Sequence, residues 1–385
     1  MYDAVVIGAG PAGLHAGRRL GDAGARVAVL EEHPVVGEPV HCTGVLAREA
    51  LDEFDLPRTL ILNELTTARF FSPSGQPVVY TTRGIEAVAI DRAALDGHLA
   101  SEAARAGVRL LSGVRATKVS RDARGVTVDS TGGAPVRARA CVLACGGRYA
   151  LHRQLGLGVP SLLLHTAQRE VPVSRPGDVE VHFGSAVAPR GFGWAVPVWR
   201  QGRPYARLGV MSAGDAPAHF GRLVGRVADR WGLDDPQVGP PRQKILPLTR
   251  IPRTFGDRLI VVGDAAGLVK PTTGGGIYYS LVSGDIGASV LAGALGDDDL
   301  SAARLAGYEE QWRTRLEDEL DTQLTFRSIA QAMPDEDIEG LFELARTDGI
   351  MPIIRRTATF NRHRQLIVAL LKHPPARQVF FRSFL

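Results

Sequence analysis

The feature that most limits what this chain can fold into lies in its first 31 residues. Asp3 to Ile7 is a short apolar run. Gly8-Ala9-Gly10-Pro11-Ala12-Gly13 follows at once, then helical periodicity to about Ala23, with Gly24 as a stop. A second apolar run from Arg26 to Leu30 ends at Glu31. Strand, glycine turn, helix, strand and acid form the order of a dinucleotide-binding βαβ unit. Gly8 permits the tight turn, Gly10 lets backbone approach a pyrophosphate, and Gly13 lets helix and strand pack closely. N–H groups at the helix start then hold phosphate, and Pro11 occupies the first helical position, where a missing N–H costs nothing. Glu31, 18 positions beyond Gly13, is placed to accept adenosine ribose hydroxyls, with Glu32 as a solvated neighbour. A carboxylate there favours FAD or NAD over NADP, whose 2′-phosphate calls for an arginine.

Further along, Ile90 to Leu99 predicts a helix with Asp91 as its N-cap. A strand from Arg109 to Val114, a hairpin around Arg121 to Val128 and a buried strand from Ala140 to Ala144 continue the nucleotide domain. From about Leu151 to Pro247 the texture changes to short β-like pieces broken by proline and glycine, without long helical periodicity. That predicts a second, mostly antiparallel domain. Arg258 to Gly263 is again a buried parallel strand, leading to a helix from about Gly276 to Leu295, and the tail from Ser301 is largely helical. The expected fold is therefore α/β: a Rossmann-like FAD-binding domain, a mostly antiparallel β-sheet substrate domain and a helical C-terminal region. Their expected limits are 1–60, 85–150 and 255–297 for the first, 61–84 and 151–254 for the second, and 298–385 for the third.

FAD rather than a nicotinamide alone follows from a second signature, Gly263-Asp264-Ala265-Ala266-Gly267 and then Pro271-Thr272-Thr273-Gly274-Gly275-Gly276-Ile277. A carboxylate at a strand's carboxyl end, followed by a glycine-rich helix start, offers a hydroxyl acceptor and several N–H donors within one turn. Such donors stabilise negative charge at the pyrimidine end of a reduced flavin. A nicotinamide-only enzyme has no need of them.

Three blocks, GAGPAG with Glu31, GEPVHCTG from Gly37 to Gly44, and GDAAGLVKPTTGGGIYYSLVSG from Gly263 to Gly284, resemble the geranylgeranyl reductase family. That family lies within the flavoproteins built like para-hydroxybenzoate hydroxylase, and the resemblance covers roughly residues 2–295. It implies that Ala12, Glu31, Arg92 and the backbone near Val114 contact the dinucleotide part of FAD, alongside Gly8, Gly10 and Gly13 of the turn. Asp264 would hold the ribityl-pyrophosphate region, while Gly274, Gly275, Gly276 and Ile277 would lie beside the isoalloxazine. Cys42 and Thr43 would lie over the flavin, where Cys42 positions the cofactor, gives a proton to substrate, or packs. A thiol with the ordinary pKa near 8.5 is mostly protonated at pH 7 and can act as an acid. His41 beside it is either a base or a structural loop histidine. The family's substrate motif P-x-x-Y-x-W-x-F-P is matched by Pro189, Phe192, Trp194, Val196 and Pro197. Trp194 and both prolines agree; Phe192 and Val196 replace the tyrosine and phenylalanine, so an apolar wall stays and a hydroxyl is lost. Phe192, Trp194 and Val196 are the expected substrate-binding residues, with ordinary strand core as the other reading.

The resemblance implies a reductase that hydrogenates C=C bonds of an isoprenoid chain or lipid by hydride transfer from reduced FAD. Only one complete dinucleotide fingerprint occurs, so the reductant is NAD(P)H bound transiently or a ferredoxin-like donor. A flavin monooxygenase or halogenase, and a non-catalytic lipid-binding protein retaining FAD, are the rival readings. Composition narrows the partners. Net charge is 45 − 41 = +4, scattered along the chain, which gives nucleic-acid binding no support. Three cysteines, Cys42, Cys141 and Cys145, show no metal-ligand spacing and suit a reducing cytoplasm. No run reaches the roughly 18–20 apolar residues needed to span a bilayer, and the early first strand leaves no room for a signal peptide, so a cytoplasmic protein is expected. The tail from Asn361 mixes Arg362, Arg364, Lys372, Arg377 and Arg382 with apolar Leu366 to Leu371 and the final Phe380-Phe381 and Phe384-Leu385. A basic amphipathic segment of this kind lies on the inner face of an anionic membrane or docks on its own protein.

Overall fold

Valine- and alanine-rich runs with no polar face suit strands covered on both sides. In the computed structural model, which describes residues 1–233 and 238–382, they form one sheet. Parallel strands Arg109–Ser112, Val27–Glu31, Tyr2–Ile7, Val136–Leu143 and Leu259–Val261 lie side by side in that order. Ala4, Val5, Val6, Ala28 and Val29 are fully buried there. Helix Pro11–Asp22 packs against helices Arg92–Arg105 and Ile277–Gly296. An antiparallel hairpin, Ala116–Asp122 with Gly125–Ser130, branches from the sheet at Val136–Leu143.

A seven-stranded sheet makes up most of the rest, in the order Arg242–Pro247, Leu163–Pro172, Arg203–Ser212, Phe192–Arg200, Val179–His182, Thr67–Phe71, Pro77–Thr81. Because side chains alternate along a strand, its two faces have different coverings. Ala167, Ala195, Leu208 and Val210 pack beneath Phe220, Leu223, Val227 and Trp231. Those last four belong to helix Ala216–Trp231, capped by the Asp215 carboxylate, which accepts from the Ala218 N–H at 3.1 Å, and ended by Gly232. This helix was not expected from the sequence. Gly221 and Gly225 weaken its pattern, but the buried positions keep the spacing of three and four that a helix face requires. On the opposite sheet face, Val196 and Val198 join Ala89 of a small three-stranded sheet, Val45–Ala47, Ala87–Ile90 and Ile61–Leu65.

The chain divides into two compact units. One contains Met1–Val40, Arg92–Leu163 and Pro247–Asp318; the other contains His41–Asp91, Leu164–Leu246 and Glu319–Leu385. These limits differ from the expected ones in three respects. Residues 41–60 and 85–91 group with the antiparallel sheet, residues 151–163 and 247–254 group with the nucleotide sheet, and the C-terminal helices form no unit of their own. Helix Ala302–Ala330 begins in one unit and ends in the other. Beyond it, Met333, Met351, Leu370, Ala376 and Phe380 of the tail form one core with Val78 and Tyr80 packed on it. The apolar side of the tail is thus used within its own unit, while Arg362, Arg364, Lys372, Arg377 and Arg382 are exposed. Among the described residues, no helix is long and apolar enough to cross a membrane.

Candidate active site

In the nucleotide unit, both glycine signatures have physical reasons to be glycine. Gly8 has φ +107°, a conformation that L side chains rarely adopt, and a Cβ there would stand 2.4 Å from the Ala144 carbonyl oxygen. A Cβ on Gly13 would stand 2.0 Å from the Gly8 carbonyl oxygen. Gly10 is different: a Cβ there would meet nothing within 4 Å, so space lies beside the helix start. Helix Pro11–Asp22 carries no side-chain cap and no acid in its first turn, so its first N–H groups are left for an anionic ligand. Glu31 closes this end. One carboxylate oxygen accepts the Ala9 N–H at 2.8 Å; the other accepts the His33 N–H at 3.0 Å and its Nδ1 at 2.6 Å. A carboxylate has about four acceptor sites, so capacity for further hydroxyls is left. The Val114 N–H donates to the Glu31 carbonyl at 2.8 Å, which fixes the backbone of that segment. Arg92 is held by the Asp96 carboxylate, one turn on, at 2.6 Å.

The second signature is brought against the first through Ala12. A Cβ on Gly263 would lie 2.8 Å from the Ala12 Cβ, and one on Gly284 would lie 2.7 Å from the Ala12 carbonyl oxygen. Asp264 sits in a short 3₁₀ turn, Gly263–Ala266, whose backbone is tied down on several sides. The Gly263 N–H donates to Ser283 Oγ at 2.9 Å, the Tyr149 hydroxyl to the Asp264 carbonyl at 2.9 Å, and His152 Nε2 to the Ala265 carbonyl at 2.8 Å. A carbonyl only accepts, so His152 carries its proton on Nε2, and burial pushes its pKa down and keeps it neutral. The same burial raises the Tyr149 pKa and keeps that hydroxyl a donor. The Asp264 carboxylate abuts the start of helix Ile277–Gly296: a Cβ on Gly276 would lie 2.6 Å from its Oδ1. Gly274 donates its N–H to the Lys270 carbonyl at 2.7 Å, and Gly275 returns its carbonyl to the Lys270 N–H at 3.1 Å. This helix start also lacks a side-chain cap and a first-turn acid. Two uncapped helix starts and two carboxylates at strand ends fit the phosphates and hydroxyls of FAD.

In the second unit, Phe192, Trp194 and Val196 lie on the face of the sheet that turns away from helix Ala216–Trp231. Trp194 stands opposite Gly209, and a Cβ there would meet its ring at 2.3 Å, so the missing side chain is what seats the indole. Val196 is only 3% exposed and is sealed in the cluster with Ala89 and Val198. It is the most enclosed of the three, Phe192 and Trp194 being half-buried. Phe192 and Trp194 stay half-buried and continue an aromatic row: ring centroids lie 5.8 Å apart for Trp194–Phe192, 6.2 Å for Phe192–Phe183 and 5.8 Å for Phe183–Phe342.

The His41–Gly44 loop lies on this same sheet face. Thr43 offers its hydroxyl to Gln168 Oε1 at 3.2 Å, and its carbonyl accepts from Arg207 at 2.6 Å. The Gly44 N–H donates to Cys42 Sγ at 3.3 Å, its carbonyl accepts the Ile90 N–H at 2.8 Å, and His41 is half-buried. Gln168 and Glu170 pair across the ladder with Gly209 and Arg207, so loop, indole and charge cluster share one surface. Cys141 is fully buried, and Cys145 donates to the Arg148 carbonyl; burial raises both thiol pKa values, that of Cys145 to about 12. All three cysteines are free thiols. Sequence reasoning missed Tyr149, His152, Glu170, Arg207 and Gly209. Arg207 alone gave a signal, as a single charge in the apolar run from Ala206 to Met211.

A parallel nucleotide sheet with two glycine-led helix starts, in a chain whose second unit is built on a mostly antiparallel sheet, defines an FAD-dependent oxidoreductase. Residues 2–170 match the family described as pyridine nucleotide-disulphide oxidoreductase. A digeranylgeranylglycerophospholipid reductase 2 of Methanothermobacter thermautotrophicus is 30% identical, over 88% of this chain and 90% of the relative. The Methanocaldococcus jannaschii digeranylgeranylglycerophospholipid reductase is 29% identical over 89% and 90%. A solved structure from Thermoplasma acidophilum, described as geranylgeranyl bacteriochlorophyll reductase-like, shares the fold with a TM-score of 0.84, 24% identity and coverage of 100% and 99%. The chain belongs to the geranylgeranyl reductase family.

Proposed function

We propose that this protein hydrogenates C=C bonds in the isoprenoid chains of a lipid, of the kind named for its relatives. The observation that carries the reading is the shared sheet face, on which the Cys42–Gly44 loop and the half-buried Phe192 and Trp194 lie together. A row of aromatic rings on the same face as a thiol suits an apolar alkene chain. Bound FAD, once reduced, supplies a hydride to one alkene carbon. In this reading Gly8, Gly10, Ala12, Gly13, Glu31, Arg92 and Val114 hold its dinucleotide part. Asp264 takes ribityl hydroxyls, while Gly274, Gly275, Gly276 and Ile277 present N–H groups to the ring's pyrimidine edge. Thr43 and Cys42 face the ring, and Cys42 holds at Sγ the proton that the second alkene carbon needs. Trp194 and Phe192 orient the chain and exclude water, and the row through Phe183 to Phe342 continues that apolar track. NAD(P)H or a ferredoxin-like protein delivers the electrons. The exposed arginines and lysine of the tail bring the protein to an anionic lipid surface by charge, its apolar side being occupied.

Mass spectrometry of prenyl lipids incubated with the dithionite-reduced protein tests the reading. Gain of two hydrogens per double bond without oxygen is the expected result. Gain of one oxygen, only in air, would replace it with a monooxygenase.

A further inference from the structure

Arg207 is 4% exposed, in the middle of an apolar strand, and a charge in such a place must be compensated. Its Nε donates to Glu170 Oε2 at 2.8 Å, and its Nη1 donates to two backbone carbonyls, Thr43 at 2.6 Å and Ile90 at 2.9 Å. One guanidinium nitrogen therefore joins the loop that carries Cys42 to the end of strand Ala87–Ile90. Glu170 is itself gripped from its other side by Arg200, which also donates to Asp91 at 2.6 Å. Burial works against the Glu170 charge, but hydrogen bonds from the two arginines outweigh it and hold the carboxyl below its usual pKa range. Glu170 thus stays charged at neutral pH, and the relay Asp91, Arg200, Glu170, Arg207 ends on the Thr43 carbonyl.

We propose that Arg207 is the positioning residue of the reaction: it fixes the Cys42–Gly44 loop by holding the Thr43 carbonyl, with Glu170 and Arg200 fixing Arg207 in turn. Gln168 restrains the Thr43 side chain and the Ile90 N–H the Gly44 carbonyl, so Arg207 is the group that holds the Thr43 backbone. An arginine is required because its fork reaches a carboxylate and a backbone carbonyl at once, which an ammonium can do only in part. The proposal rests on the reading that this loop belongs to the catalytic site.

Alkylation of the flavin-loaded protein with iodoacetamide, followed by peptide mass spectrometry, reads the loop directly. Cys145, hydrogen-bonded in the other unit and with its thiol pKa pushed up to about 12, should label slowly and serves as the control for loss of the fold. Arg207→Met should speed labelling of Cys42 by about tenfold or more, the loss of one charge-assisted hydrogen bond. Arg207→Lys should recover part of the protection, and Cys145 should label at the wild-type rate in both. Wild-type labelling of Cys42 in folded Arg207→Met would overturn the proposal. Should that variant fail to fold, Arg207→Lys carries the test, and unchanged labelling in it would do the same. Turnover separates the two layers: kcat should fall with KM little changed. Faster labelling with unchanged turnover would leave the positioning role standing and remove the loop from the catalytic site.

Discussion

Gly209→Ala adds one methyl group against the indole of Trp194. The strand backbone there is ordinary, so the residue itself is not strained; the conflict is with Trp194. The new Cβ would stand 2.3 Å from Cζ2, 2.5 Å from Cε2 and 2.8 Å from Nε1 of the indole. Ordinary carbon contacts need about 3.5 Å, so ring or strand must move by roughly 1 Å. The indole is rigid and has Phe192 beside it with centroids 5.8 Å apart, so it cannot slide along the row without disturbing a second aromatic ring. Overpacking of this kind costs about 1–3 kcal/mol, a fall in melting temperature of roughly 1–4 °C for a chain of this length if the ring stays. If the ring moves instead, prenyl turnover should fall by as much as about a hundredfold. FAD content should not change. The assay is a double-mutant cycle on thermal stability with Trp194→Phe, whose smaller ring leaves room for the methyl: Gly209→Ala should be nearly neutral in that background. Stability and turnover both at wild-type level in Gly209→Ala, or an equal loss in the Trp194→Phe background, would refute the packing argument.

Gly13→Ala should abolish FAD retention, measured as the flavin absorbance of purified protein, because its Cβ would overlap the Gly8 carbonyl; a normal flavin ratio would remove the turn from the cofactor site. In the second unit, burial opposes the Glu180 charge, but hydrogen bonds from His182 and Arg230 bring its pKa down from 4.5 to about 2. His182 is itself pushed down by burial, so the Arg230 charge is the main support at neutral pH. A depressed carboxylate contributes stability above its unfolded pKa and loses it as pH falls through the folded one. Roughly 3 kcal/mol should therefore disappear between about pH 4.5 and pH 2, and Glu180→Gln should flatten that part of the denaturation profile; an unchanged profile would count against it. Co-sedimentation with anionic vesicles should be lost on raising salt from about 0.1 to about 0.5 M, since exposed charges are screened. Binding that survives the salt, or equal binding to zwitterionic vesicles, would contradict an electrostatic tail.

Much of the nucleotide unit was legible because its reasons are local. Gly8, Gly13 and Glu31 do their work within one βαβ turn, and Asp264 and Gly276 within one strand-to-helix turn. The elements around them lay within a residue of expectation, as with strand Tyr2–Ile7 and helix Ile277–Gly296. The substrate face was legible only in outline. Trp194 was found by motif, but Gly209, which seats it, lies 15 positions later and is meaningful only across a strand pair. Val196 looked like its neighbours in the motif until the small sheet covered it. The Glu170–Arg207 pair is likewise a register property: each residue alone is an ordinary strand charge, and only the ladder sets them opposite each other.

The two units exchange the chain five times between Met1 and Leu385, each taking three separate stretches. No single cut yields either one as a continuous polypeptide. Under the proposed function, a new lipid specificity would come less readily by grafting one continuous substrate module, as in proteins with modules in series, than by point changes on a surface such as the Phe192 and Trp194 row.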